Sequence, residues 1–126
     1  MRSQDVGRMR AALNLLDRRA NERLGTFDAH SIGLGRYVPG SSPWERHHNG
    51  DELLYVTDGD VSIEVLDGDG GSHVEALAAG TLFVVPKGLW HRLTATAHVN
   101  ILYISPDEEG AERTRERPHV AGHDPS

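Results

Sequence analysis

Two runs of this 126-residue chain carry side chains able to bind a cation or move a proton. The first is Pro43-Trp44-Glu45-Arg46-His47-His48-Asn49-Gly50-Asp51-Glu52, and the second is Gly80-x5-Pro86-x-Gly88-x2-His91. Glu45 and His47 stand at i and i+2, so on a strand both project to one side. Glu52 follows the short Asn49-Gly50-Asp51 loop, and His91 comes soon after the Pro86-Lys87-Gly88 turn. Inside a barrel, strands on facing walls can direct such groups to one point. His47, Glu52 and His91 then offer two imidazoles and one carboxylate, a set that suits non-haem Fe(II) and also Mn, Ni, Cu or Zn. The chain has 8 histidines, and a single one is more often structural or exposed than a ligand. His30, His73 and His98 keep that structural reading, whereas spacing raises His47 and His91 above it. His119 and His123 are spaced like a helical metal pair, but Pro118, Gly122 and Pro125 oppose a helix there.

The elements that must position these groups are mostly strands. Residues 8–24 are the exception. Met9, Leu13, Leu16, Ala20 and Leu24 recur at steps of three and four, which predicts an amphipathic helix closed by Gly25. From Thr26 the period changes to two. Ala29 to Val38 reads as a strand pair or a long bent strand loosened by Gly33 and Gly35. Leu53 to Val56, Val61 to Val65, His73 to Leu77, Thr81 to Val85, Trp90 to Ala97 and Val99 to Ile104 follow as short strands. Thr57-Asp58-Gly59-Asp60 carries hairpin-turn residues, and Asp67 to Gly71 marks another turn. Many short strands punctuated by Gly and Pro argue for an all-β barrel or sandwich. The expected division is an N-terminal helix over 1–25, a barrel over 26–105 and a flexible polar tail over 106–126.

Composition narrows the function classes. With no cysteine, disulfides, thiolate zinc sites and cysteine nucleophiles are excluded. Net charge is −6, and residues 25–105 hold only Arg36, Arg46, Lys87 and Arg92 as cations, so nucleic acid is not expected as a partner. The arginines at 2, 8, 10, 18, 19 and 23 read as a solvated helix face. No apolar run reaches membrane-span length, so no membrane partner is expected. No apolar segment follows Met1 to Asp5, which gives the expectation of a cytoplasmic protein. Neither a phosphate loop nor a nucleophile elbow is present.

The run from Gly40 to Gly59 resembles the first cupin motif, and Gly80 to His91 is similar to the second at every fixed position, with Ala95 in place of a later Asn. The resemblance spans roughly residues 26–105, and the local phrasing is that of small single-domain cupins. It implies a double-stranded β-helix, or jelly roll, often a homodimer, holding one divalent metal such as Fe, Mn, Ni or Zn. One position departs from the pattern. Aligned on Trp44 and Asp51-Glu52, the first His of the motif falls on Glu45 and the second on His47; a register counted from Gly40 would instead use Arg46 and His48. The first register is preferred because it keeps a cation out of the ligand set. The metal residues are then Glu45, His47, Glu52 and His91. Glu45 has three readings: a fourth ligand, a catalytic base beside a three-residue site, or the mark of a pocket without metal. In the last case Glu45 and Glu52 would repel, and one would titrate high. Trp44, Tyr37, Trp90, Tyr103, Arg36, Arg92 and Asn100 are candidates for the barrel mouth. The function expected is a metal-dependent enzyme, of oxygenase, isomerase or lyase type, on a small organic substrate. The alternative is a non-enzymatic module that binds a small molecule with or without metal. Cupins host many activities, so the fold alone names no substrate.

Overall fold

Alternation builds the walls. In Val61-Ser62-Ile63-Glu64-Val65 the three aliphatic side chains are buried and the two polar ones are half-buried, as a strand with one core-facing side requires. The computed structural model describes residues 2–120, and its elements in chain order are α1 (Val6–Leu13), β1 (Ala20–Phe27), β2 (His30–Tyr37), β3 (Gly40–Ser41), β4 (Trp44–His47), β5 (Glu52–Asp58), β6 (Asp60–Leu66), β7 (Ser72–Ala78), β8 (Leu82–Val85), β9 (His91–Ala95), β10 (Val99–Pro106), a 3₁₀ turn (Glu108–Gly110) and β11 (Ala111–Thr114). All strand pairings are antiparallel. One sheet runs β1-β2-β10-β5-β8 and the other β11-β4-β9-β6-β7, with β3 pairing to β9. The fold is an all-β jelly roll with one short N-terminal helix. Among the described residues no helix is long and apolar enough to cross a membrane.

The sheets face each other across Leu54, Val56, Val61, Ile63, Val65, Leu77, Val85, Val99 and Ile101, all buried. A second cluster lies outside the first sheet, where Leu13 meets Leu24 and Leu34, with Met9, Leu16 and Ala20 packed against them. A polar clasp ties this flank together. Arg10 bridges Asp58 at 2.9 Å, and the buried Asn100 amide donates to Asn14 at 2.7 Å. Burial pushes the Asp58 carboxyl up, but hydrogen bonds from Thr57, Asn14, Arg10 and Asn100 outweigh it and hold the group below its usual range.

Three expectations need correction. The helix predicted over 8–24 ends at Leu13, and residues 20–27 form a strand. The apolar steps are real, since Met9, Leu13, Leu16, Ala20 and Leu24 share one cluster. They are delivered by a helix and a returning strand because β2 pairs with the second half and Arg36 Nε donates to the Leu16 carbonyl at 2.7 Å. Tertiary pairing overrides the helical period.

The turn at Thr57 to Asp60 is not a hairpin: β5 lies in one sheet and β6 in the other. Gly59, at φ +82°, carries the chain across this corner so close to the backbone that a Cβ would stand 2.6 Å from the His98 carbonyl oxygen.

The tail expected to be loose is ordered in part. β11 pairs with β4, placing Arg113 opposite Glu45 and Glu112 opposite Arg46. Strand Ala111–Thr114 has no apolar alternation and forms on these partners; His123 lies outside the described residues.

Gly59→Ala adds both a strained φ and a contact with backbone that has little room to move, so it should destabilise the chain by about 2 kcal/mol. Urea unfolding of the two proteins checks this, and a change below about 0.5 kcal/mol would show that the corner tolerates a side chain.

Candidate metal centre

The two motif halves are joined through backbone. Gly88, at φ +82°, places its N–H on the His47 carbonyl at 2.8 Å, while the Lys87 N–H donates to Asp51 Oδ1 at 2.8 Å. The Pro86-Lys87-Gly88 turn is thereby docked on the His47–Asp51 segment before it launches β9. His91, the first residue of β9, is the register partner of Glu45 on β4. Glu45, His47 and His91 therefore come from one sheet, and Glu52 at the start of β5 faces them from the other.

Ligand atoms from Glu45, His47, Glu52 and His91 all lie within 4.8 Å of one another. His47, Glu52 and His91 are buried, whereas Glu45 keeps 23% of its side chain exposed. His91 Nδ1 sits 3.2 Å from the Leu89 carbonyl, which can only accept, so this nitrogen carries hydrogen and the ring presents Nε2 to the centre. That Nε2 stands 3.1 Å from Glu52 Oε1. A neutral imidazole would there set a lone pair against a carboxylate, and only a proton or a cation between them relieves the repulsion. His47 Nε2 is 2.8 Å from Glu45 Oε1 and 3.4 Å from Glu52 Oε2, yet neither approach has hydrogen-bond alignment. Both nitrogens of this buried ring lack a hydrogen-bond partner among the described residues. Four ligand atoms converging on one point, with His47 Nε2 aligned to neither carboxylate, fit a single ion bound at about 2.1 Å to each. Two imidazoles and two carboxylates, without sulfur, suit Fe or Mn and also accept Ni or Zn.

The charge balance points the same way. Burial opposes protonation of His47, but Glu45 and Glu52 outweigh it and raise this imidazole to about 10. Burial likewise opposes ionisation of Glu52, and the two imidazoles outweigh it, taking the carboxyl down to about 2. Glu45 is pushed up by burial and by Glu52, yet His47 and Arg113 hold it below its usual range. The expectation that one of the two glutamates titrates high is thus overturned, because positive charge on His47 separates them. Ser105 Oγ–H donates to Glu52 Oε2, and Arg113 Nε bridges Glu45 Oε2 at 2.6 Å.

The centre forms the floor of an open cavity of about 600 Å³. Of the expected mouth residues only Tyr37 and Tyr103 line it. Trp44 is buried with the Arg92 guanidinium 4.5 Å above its ring, Trp90 lies under Arg46, and Arg36 and Asn100 belong to the helix clasp. Arg46 and His48, the alternative register, point away from the centre and share Glu112. His30 rests on the Asp51 carbonyl, His73 on Glu75 and His98 near Asp17, all outside the cluster. Sequence reasoning missed Ser105, Arg113, Arg19, Arg23 and Arg115. Arginine at 19 and 23 with Asn21 between them does follow a period of two, the signal that could have placed them on a strand facing the cavity.

This chain belongs to the cupin family: the cupin-domain profile matches residues 33–105. Solved structures share the fold. A cupin-2 domain protein from Shewanella frigidimarina superposes with a TM-score of 0.65 at 24% identity, covering 79% of this chain and 92% of its own. Oxalate oxidase in complex with glycolate gives 0.62 at 18% identity over 75% of this chain and 54% of its own. Oxalate decarboxylase from Bacillus subtilis gives 0.59 at 21% identity over 68% of this chain, which spans 24% of that enzyme. No curated protein matches the chain.

Asp51→Ala should cost about 1–2 kcal/mol and loosen the turn that carries His91, whereas Asp51→Asn, which keeps an accepting oxygen, should recover most of it. Equal losses in the two variants on urea unfolding would show that the Lys87 N–H contact is not what Asp51 contributes.

Proposed function

We propose that this cupin is a metal-dependent enzyme acting on a small organic substrate. The observation that carries the reading is the convergence of Glu45, His47, Glu52 and His91 at the floor of a cavity open to solvent. A ligand set buried on all sides would serve structure, whereas one that opens onto a cavity leaves room for a reactant at the ion. His47, Glu52 and His91 would hold divalent Fe, Mn, Ni or Zn, and Glu45 would complete the set or act as base. When bound, the ion supplies Lewis-acid polarisation or, as Fe(II), activation of dioxygen.

The protein's own groups do the rest. Glu45 is the more exposed carboxylate of the centre, and Arg113 fixes its orientation. Ionised at neutral pH, it can take a proton at a carboxylate oxygen from a group brought beside it. Ser105 holds Glu52 in place, and Leu54, Leu93 and Tyr37 give the cavity an apolar side against which a carbon skeleton can rest.

Elemental analysis of untagged protein tests the reading. About one Fe or Mn per chain is expected, lost in His91→Ala and retained in His48→Ala. A parent protein without metal would sink the enzyme reading and favour the binding module, and loss of metal in His48→Ala but not His47→Ala would reverse the register.

A further inference from the structure

The rim of the cavity carries charge that its floor does not explain. Arg19, Asn21 and Arg23 alternate along and just before β1 and all line the cavity. Asn21 accepts from the Tyr103 hydroxyl at 2.7 Å, and the Arg19 guanidinium lies 5.7 Å from the Tyr37 ring centre. Across the mouth, β11 and the residue after it contribute Arg113 and Arg115. Arg113 is taken up by Glu45 and Glu108, whereas Arg115 donates only to the Ser41 carbonyl at 3.2 Å. Among the described residues, neither Arg19 nor Arg23 makes an ion pair or a side-chain hydrogen bond. In a chain with 19 acidic residues against 13 basic ones, three guanidinium groups around one opening without a carboxylate stand apart from the general charge.

Glu45, Glu52 and Glu108 would together be balanced by a divalent ion and Arg113, which pairs with both Glu45 and Glu108. Arg19, Arg23 and Arg115 remain, above a floor that is neutral once metal is bound. We infer that the cavity takes a small organic dicarboxylate, one acid group reaching the floor and the other held at the rim by Arg19, Arg23 and Arg115. Guanidinium forks match carboxylate geometry, and they gain strength where a cavity wall displaces water. Tyr37 and Tyr103 line the same cavity, Tyr37 beside Arg19 and Tyr103 beside Asn21, and suit the carbon chain that joins the two acids. The floor contact rests on the metal reading above; the rim contact does not.

Titration calorimetry on the untagged full chain, loaded with Mn(II), tests this with malonate, succinate and glutarate against the monoamide of each. At least one diacid should bind about tenfold tighter than its monoamide, the difference one charge-assisted contact supplies. The Arg19→Gln/Arg23→Gln double variant should lose that preference, and Arg18→Gln, outside the cavity, should keep it. A preference that survives in the double variant, or diacids that bind no tighter than monoamides, would overturn the inference. Metal content measured on the same samples separates the two claims. If the chain takes up no metal, the enzyme reading fails, and the rim is decided on metal-free protein by the monoamides alone, whose single carboxylate should bind about tenfold more weakly to the Arg19→Gln/Arg23→Gln variant than to the parent.

Discussion

The site depends on a backbone contact between two distant segments. The Gly88 N–H on the His47 carbonyl, reinforced by Lys87 on Asp51, joins residues about forty positions apart and sets where β9 begins. From that junction His91 falls opposite Glu45, and the start of β5 brings Glu52 across from the other sheet. Gly88 at φ +82° lets the turn close on the strand, which explains why a glycine stands there between a proline turn and the ligand. The spacing of the two motifs is therefore a distance in the fold before it is a signature in the chain.

What the junction assembles is costly to leave empty of positive charge. Two carboxylates and two imidazoles meet where three of the four side chains are buried. With protons alone, His47 must stay charged to keep Glu45 and Glu52 apart, and its ring nitrogens remain without aligned partners. An ion at the centre supplies the charge and gives His47 Nε2 a partner, since it takes a lone pair from each converging side chain. The glutamate at position 45 then has a physical setting. Arg113 from β11 offsets the charge it adds, so the substitution and the C-terminal strand belong to one arrangement.

Much of this was legible in the chain, and the failures have distinct causes. Strand alternation and Gly–Pro punctuation were enough for a barrel or sandwich; the jelly roll came from the resemblance of the two motifs, and the register at Glu45 and His47 came from aligning Trp44 and Asp51-Glu52 and keeping Arg46 out of the ligand set. The helix was read too long because apolar residues at 13, 16, 20 and 24 satisfy either a helix or a helix followed by a strand, and only the partner β2 decides. The corner at Gly59 shows a reversal in sequence without showing which sheet the chain enters next. β11 was invisible because its residues are polar, and its pairing rests on β4 and on ion pairs such as Arg46 with Glu112. The same error hid the rim: of the arginines assigned to a solvated helix face, Arg23 stands on β1 and Arg19 just before it, both at the mouth of the cavity.

The account stands or falls on where an ion sits. Anomalous diffraction from crystals soaked in MnCl₂ locates it directly. One peak is expected, about 2.0–2.2 Å from Nε2 of His47 and His91 and from a carboxylate oxygen of Glu52, with Glu45 beside it. No peak among these side chains, or a peak bound to His48 in place of His47, would contradict the account.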